Sequence, residues 1–156
     1  MADDPALDTS IDATDFSVDQ WKSVLTPIEF AILREHGTER PGTGRYLNER
    51  RAGAYHCAGC GQRLYAGGAK FDSGCGWPSF FEEVEPGAIR TLTDTTHGMV
   101  RTEMRCSRCD GHLGHIFADA PHQPTGLRHC VNGFALVFVP EGEDPKTVLA
   151  RHREQG

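Results

Sequence analysis

The sequence predicts a mainly β protein of antiparallel strands with short helices at its two ends. Three observations predict it. Eighteen Gly and nine Pro among 156 residues break the chain into many turns, which suits short strands better than long helices. From Ala54 onward the apolar residues keep strand spacing: Val100, Thr102 and Met104 alternate with Arg101, Glu103 and Arg105, the period-2 pattern of a half-buried antiparallel strand. Two Cys-x-x-Cys pairs then offer a metal staple to a core that is thin and turn-rich.

The elements follow in order. Ser17 and Gln20 have capping-box spacing ahead of Trp21 and predict a short helix. Thr26-Pro27-Ile28-Glu29 is a stronger start: Thr26 caps, Pro27 suits the first helical position and Glu29 stands where a capping box puts its carboxylate. This helix runs to about Glu35, with Gly37 as its expected left-handed stop. The turn-rich 39–44 segment follows. Residues 88–92 and 112–117 are expected strands. The longest is expected over 128–139, with Val131, Ala135, Val137 and Val139 on one face and Phe134, Leu136 and Phe138 on the other, hence central and buried on both sides. Asp144-Pro145 predicts a terminal helix ending near His152.

The length fits one domain. Net charge is −6, but Asp3, Asp4, Asp8, Asp12, Asp15 and Asp19 account for all of it. Residues 1–20 therefore read as an acidic flexible leader, and 21–156 as a single, neutral, zinc-containing domain. A neutral body has little of the phosphate-directed potential that nucleic-acid binding requires. No apolar run approaches the ~18 residues of a membrane span, so no membrane partner is expected. The start has no basic segment followed by an apolar one, and the expected location is cytoplasmic.

Cys57-Ala58-Gly59-Cys60 and Cys106-Ser107-Arg108-Cys109 are two knuckles. Two residues between thiolates let one tight turn aim both sulfurs at one ion, and two such turns complete the closed tetrahedral shell of structural Zn2+, one per chain. Against this stand a redox Cys-x-x-Cys and four unrelated buried thiols. The redox motif needs one pair at a helix start in a βαβ unit, which two pairs among strands do not supply.

Cys75 and Cys130 remain, either as inert core thiols or as a working pair. On a strand Arg128, Cys130 and Asn132 share a face, where a guanidinium favours the thiolate and an amide can donate to a polar oxygen. Cys75 lies between Gly74 and Gly76, which give its backbone the freedom a thiol needs to approach a second sulfur. Trp77 and Phe80 add an aromatic wall suited to a methylthio group. In His112-Leu113-Gly114-His115 a bulge at Gly114 would bring both rings to one side, where imidazoles can carry a proton at neutral pH.

On these residues the chain resembles the B-type methionine sulfoxide reductases, which act on the R epimer. The resemblance rests on Glu35-His36-Gly37-Thr38-Glu39-Arg40-Pro41, the Cys57/Cys60 knuckle, Phe71-Asp72-Ser73-Gly74-Cys75-Gly76-Trp77-Pro78-Ser79-Phe80 and His97-Gly98-Met99-Val100-Arg101. It continues through Cys109 to His115, then Pro124-Thr125-Gly126-Leu127-Arg128 with Cys130 and Asn132. It covers about residues 24–140. It implies a β-tent of two antiparallel sheets, zinc on Cys57, Cys60, Cys106 and Cys109, nucleophile Cys130 and resolving thiol Cys75. Trp77 falls to the substrate methyl pocket, with Phe80 and Phe117 beside it, and His112, His115, Asp119, Arg128 and Asn132 to the polar pocket. The implied partners are oxidised methionine in proteins or peptides and thioredoxin or another dithiol. The chain departs from the family's commonest pattern at His129, at Gly133-Phe134 and in a longer stretch between Asp119 and Cys130. A zinc-dependent binding module of tent-like fold and a general thiol–disulfide oxidoreductase are the alternatives.

Overall fold

The computed structural model describes residues 16–155. Five of the six leader aspartates lie outside the described residues. Helix α1 (Val18–Val24) begins within the stretch read as leader, because Ser17 Oγ accepts from the Gln20 amide (3.1 Å), Gln20 Oε1 accepts from the Ser17 amide (2.7 Å), and Phe16 packs on Trp21. Helix α2 (Pro27–Glu35) carries the second capping box, between Thr26 and Glu29. Its left-handed stop is His36 (φ 59°), one residue before the expected Gly37. Gly37 serves closeness instead: its amide donates to the Ala31 carbonyl at 2.8 Å, and a Cβ there would stand 2.9 Å from that oxygen.

Among the described residues nine strands form two antiparallel sheets. The smaller has the order β2–β1–β9, from β1 (Gly53–Cys57), β2 (Arg63–Ala66) and β9 (Leu136–Pro140). The larger has the order β3–β4–β8–β7–β6–β5, from β3 (Lys70–Phe71), β4 (Ser79–Phe80), β5 (Ile89–Asp94), β6 (Arg101–Cys106), β7 (His112–Phe117) and β8 (Arg128–Val131). Helix α3 (Pro145–Gln155) packs on β9. Between the sheets Tyr65 stacks on Phe80 (4.2 Å), and Tyr55 meets both Phe80 and Phe138 edge-on or tilted. Leu64, Met104, Leu113, Val131 and Leu136 complete a core with no solvent exposure. Among the described residues no helix is long and apolar enough to cross a membrane.

Two expectations are corrected. The stretch 128–139 is not one strand. It leaves the large sheet after Val131, makes a 3-10 turn at Gly133–Ala135 and enters the small sheet as β9. Apolar residues on both faces reflect a chain that crosses the core between sheets, a pattern that a doubly covered strand also produces. Nor do Val100 and Thr102 face the core. Val100 is 80% exposed, whereas Glu103, assigned to the solvent face, is buried. The polar face of β6 is covered because it meets the end of α2 and β7, and there the charges pair with one another.

Candidate active site

Each knuckle closes the same way. The Gly61 amide donates to the Cys57 carbonyl (2.9 Å) and the Asp110 amide to the Cys106 carbonyl (2.8 Å), with Gly61 and Asp110 both left-handed. Asp110 tolerates this conformation through its short polar side chain, which Arg90 and Arg105 hold. The four sulfurs lie within 4.8 Å of one another, with Cys57–Cys109 at 3.7 Å and Cys60–Cys106 at 3.5 Å, all buried. A tetrahedral shell with Zn–S bonds of ~2.3 Å has edges of ~3.8 Å, so these residues fit zinc without rearrangement. Hydrogen bonding from Cys106, Cys109 and Cys60 holds Cys57 well below the usual thiol range, while contacts with Cys106, Cys109 and Cys57 push Cys60 well above it and contacts with Cys109 and Cys57 do the same to Cys106. Four thiolates here require a cation. Arg34 and Arg108 donate to the Cys109 and Cys60 carbonyls (2.9 and 3.0 Å), and Arg153 donates to that of Gly59, so three guanidinium groups offset the negative shell.

The other two thiols meet in a cleft of about 190 Å³ over the large sheet. Register places Ser79 of β4 and His115 of β7 on either side of Cys130 of β8. Cys75 arrives on the loop between β3 and β4, whose flanking Gly74 (φ 76°) and Gly76 (φ 93°) are both left-handed. Its sulfur stands 3.9 Å from that of Cys130. Gly114 permits this row to close up, since a Cβ there would overlap the Cys130 carbonyl oxygen. Cys75, Trp77, His115, Phe117, Arg128, Cys130 and Asn132 all line the cleft, together with Thr38 and Arg101.

Electrostatics separates the two sulfurs. Burial pushes the Cys130 thiol up to about 12 and the adjacent Cys75 adds to this; Arg128 pulls the other way and is outweighed. Arg128 therefore offsets only part of the burial cost at Cys130. Its guanidinium is shared with the Asp119 carboxylate (3.0 and 2.9 Å) and lies over the Phe117 ring. At Cys75 burial also raises the thiol, but contacts with Ser73 (3.0 Å), Ser79 (3.5 Å), the Trp77 carbonyl (3.5 Å) and Cys130 together more than offset it and leave the group below its ordinary value.

β7 has a bulge opposite Met104 and Arg105 that brings the His112 and His115 rings to 5.6 Å. Only His115 faces the cleft. Asp94 Oδ2 lies 2.8 Å from its Nε2. His112 is buried behind it, its Nδ1 2.7 Å from Glu103 Oε2, and burial lowers its basicity against the opposing pull of Glu103. Asn132 donates one N–H to the Leu113 carbonyl and accepts the Glu39 amide on its oxygen (both 2.9 Å), tying β7, β8 and the 38–46 segment together. Trp77 is pinned through Nε1 to the Glu39 carbonyl at 3.1 Å. Asp119 sits at the rim, and Phe80 lies outside the cleft, in the core against Tyr65. His129, on the opposite face of β8, is likewise a core residue: its Nδ1 is 2.9 Å from the Tyr65 hydroxyl, and burial pulls its pKa down to about 4.

Sequence reasoning assigned no role to Asp94, Arg101, Glu103, Thr38 or Glu39. Period 2 on β6 marked Arg101 and Glu103 as solvated, and Asp94 of β5 reaches His115 of β7 across the one intervening strand, β6, a relation that no spacing encodes. Glu39 belonged to a quoted motif. Its burial, with Oε1 accepting the Phe134 amide at 2.9 Å, marks it as the clamp that holds the cleft's floor.

Comparison with known proteins places this geometry in context. Residues 25–140 match the family model described as SelR domain. A protein of Agrobacterium fabrum named peptide methionine sulfoxide reductase MsrB is 58% identical over 120 residues, which cover 77% of this chain and 88% of that one. Proteins of the same name from a Synechococcus species (53% over 135 residues, 86% and 96%) and Bradyrhizobium diazoefficiens (49% over 138 residues, 88% and 99%) are similar to nearly the same extent.

Proposed function

The chain belongs to the SelR-domain family, and from that premise we propose that it is a peptide methionine sulfoxide reductase, acting on the R epimer in oxidised proteins or peptides. The observation that carries this reading is the approach of Cys75 and Cys130 to 3.9 Å beside Trp77 in an open cleft. Inert core thiols have no need of two left-handed glycines or of an aromatic wall.

The sulfoxide methyl group packs against Trp77 and its oxygen faces His115 and Arg128. Cys130 sulfur attacks the sulfoxide sulfur. The proton it gives up passes to the sulfoxide oxygen, with His115, held by Asp94, as carrier, and the resulting hydroxyl moves from the sulfoxide sulfur to the Cys130 sulfur as the transient S–S bond breaks and the thioether leaves. The thiol is oxidised to sulfenic acid and the sulfoxide reduced to the thioether, a two-electron exchange that balances without another reactant. Proton and nucleophile thus come from one group, and because burial pushes the Cys130 thiol up to about 12, the proton must be taken up as the sulfur attacks. Cys75, the more acidic sulfur, then attacks Cys130 sulfur. A disulfide forms and water leaves, after closure from 3.9 Å to the ~2.05 Å of an S–S bond. A dithiol such as thioredoxin, in the cytoplasm, restores both thiols by exchange.

Cys57, Cys60, Cys106 and Cys109 would hold zinc, which with four thiolates supplies no open coordination position and acts as a cross-link between β1 and the β6–β7 turn. Resolved R and S sulfoxides test the reading. The R epimer is expected to be reduced stoichiometrically with a dithiol present, and Cys130→Ser to abolish even the first turnover. Cys75→Ser should complete one turnover and lose thioredoxin-driven cycling. Full cycling in Cys75→Ser removes Cys75 from the mechanism, and activity on general disulfides indifferent to Trp77→Ala replaces the reading with a thiol–disulfide oxidoreductase.

A further inference from the structure

Behind the cleft, two histidines and a glutamate converge on one point. His36, the left-handed residue that ends α2, aims Nδ1 at Glu103 Oε2 from 3.2 Å, and His112 aims Nδ1 at the same oxygen from 2.7 Å. The three atoms lie within 4.8 Å of one another, and the two rings stack at 5.3 Å. Neighbouring ligands around an ion with bonds of ~2.0–2.2 Å stand ~3.3 Å apart, so an ion needs only small outward shifts to enter. Two imidazoles and one carboxylate are the donor set of a borderline dication, with coordination left for water. Glu103 is held as a carboxylate, since Arg105 and His112 outweigh its burial, and burial keeps His112 neutral, the form that ligates. The exposed side of His36 (51%) gives the ion a way in. Arg105 opposes it: its guanidinium shares Glu103 with the histidines, which sets the affinity below that of the four-cysteine site, although Asp110 takes part of the same charge.

We propose that His36, Glu103 and His112 form a second metal site, for a divalent ion of the Zn2+, Co2+ or Ni2+ class, distinct from the four cysteines. Binding replaces the hydrogen bonds at Glu103 Oε2 with metal bonds, each neutral imidazole ligating through Nδ1 and keeping its one proton on Nε2. It fixes a metallated His112 ring 5.6 Å from that of His115, so an occupied site slows proton delivery in the cleft. That effect on turnover rests on the reductase reading; the site itself does not.

Full-length, zinc-loaded protein with Cys75 and Cys130 oxidised to a disulfide, so that neither thiol competes, is titrated with Co2+. One further equivalent is expected to bind, with ligand-field bands and no sulfur-to-cobalt charge transfer. His36→Asn, which keeps the left-handed cap, is expected to weaken it at least about tenfold. No added equivalent, or unchanged affinity in His36→Asn, overturns the site. In the reduced protein Co2+ is expected to slow a single turnover of methionine sulfoxide several-fold in the wild type and not in His36→Asn. Equal slowing in both transfers the effect to the cleft thiols and overturns the coupling. Absence of turnover before cobalt is added defeats the reductase reading alone and leaves the binding result standing.

Discussion

Cys130 and Cys75 are the same chemical group 3.9 Å apart, yet their surroundings move them in opposite directions. Cys130 is deep in the strand row and bears the larger desolvation cost, which Arg128, already paired to Asp119, does not recover. Cys75 has two serine hydroxyls at hand to donate to a thiolate. Since the thiolate is the species that alkylates, iodoacetamide at neutral pH is expected to modify Cys75 before Cys130, as read by peptide mass spectrometry. Prior modification of Cys130 contradicts this ordering. The sequence showed both thiols and their polar neighbours. It did not show that the arginine was already engaged, because Asp119 is nine residues away in a turn whose path no local signal fixes.

At the scale of elements, the cleft depends on how closely β7 and β8 approach. Gly114 allows it, and Gly114→Ala forces the strands apart at the Cys130 carbonyl. A loss of about 3 kcal/mol or more in urea unfolding is expected, with reductase activity falling further than stability because the Cys130–His115 row is spread. The two knuckles act likewise as one element made from distant turns. Stripping the zinc proposed for these four cysteines would remove the cross-link and leave four crowded thiols. The expected result is a fall in Tm of at least about 10 °C, recovered by Zn2+, in a thermal scan with and without chelator. The N-cap residues and both Cys-x-x-Cys turns were legible, since each depends on residues within one or two turns of chain; which residues of β6 are buried was not, because its polar face is covered by α2 and β7. The break of 128–139 into β8 and β9 was not: an apolar run looks the same whether it crosses one sheet's interior or passes between two.

The molecule as a whole is locked by a buried carboxylate between its ends. Glu29 of α2 accepts from Arg45 (2.8 Å) and lies 2.6 Å from His152 of α3, and the next residue of that helix, Arg153, reaches the first knuckle. Burial raises this carboxyl, but His152, the Thr26 amide and Arg45 outweigh it and bring the pKa down to about 2. A carboxyl whose folded pKa is depressed stabilises the fold above its unfolded value of 4.5 and loses that contribution as pH falls toward 2. The contribution at neutral pH is about 3 kcal/mol by linkage. Glu29→Gln is therefore expected to be less stable at pH 7 and to show a flatter decline between pH 5 and 2 in denaturant titrations. An unaltered slope assigns the acid loss to other carboxyls.

The sequence by itself determined the helix N-caps, the knuckles, the β content and the presence of the side chains from which the proposed cleft draws its thiols, His115 and Trp77, because these reside in residue type and short spacing. Tertiary structure alone decided which of them meet. It joined Cys75 to Cys130 and turned Phe80 and His129 into core. It also buried Glu103 beside two histidines and brought Asp94 to His115. Those outcomes follow from strand order and from the cost of leaving charge unpaired under a covering helix, and both are properties of neighbours far apart along the chain.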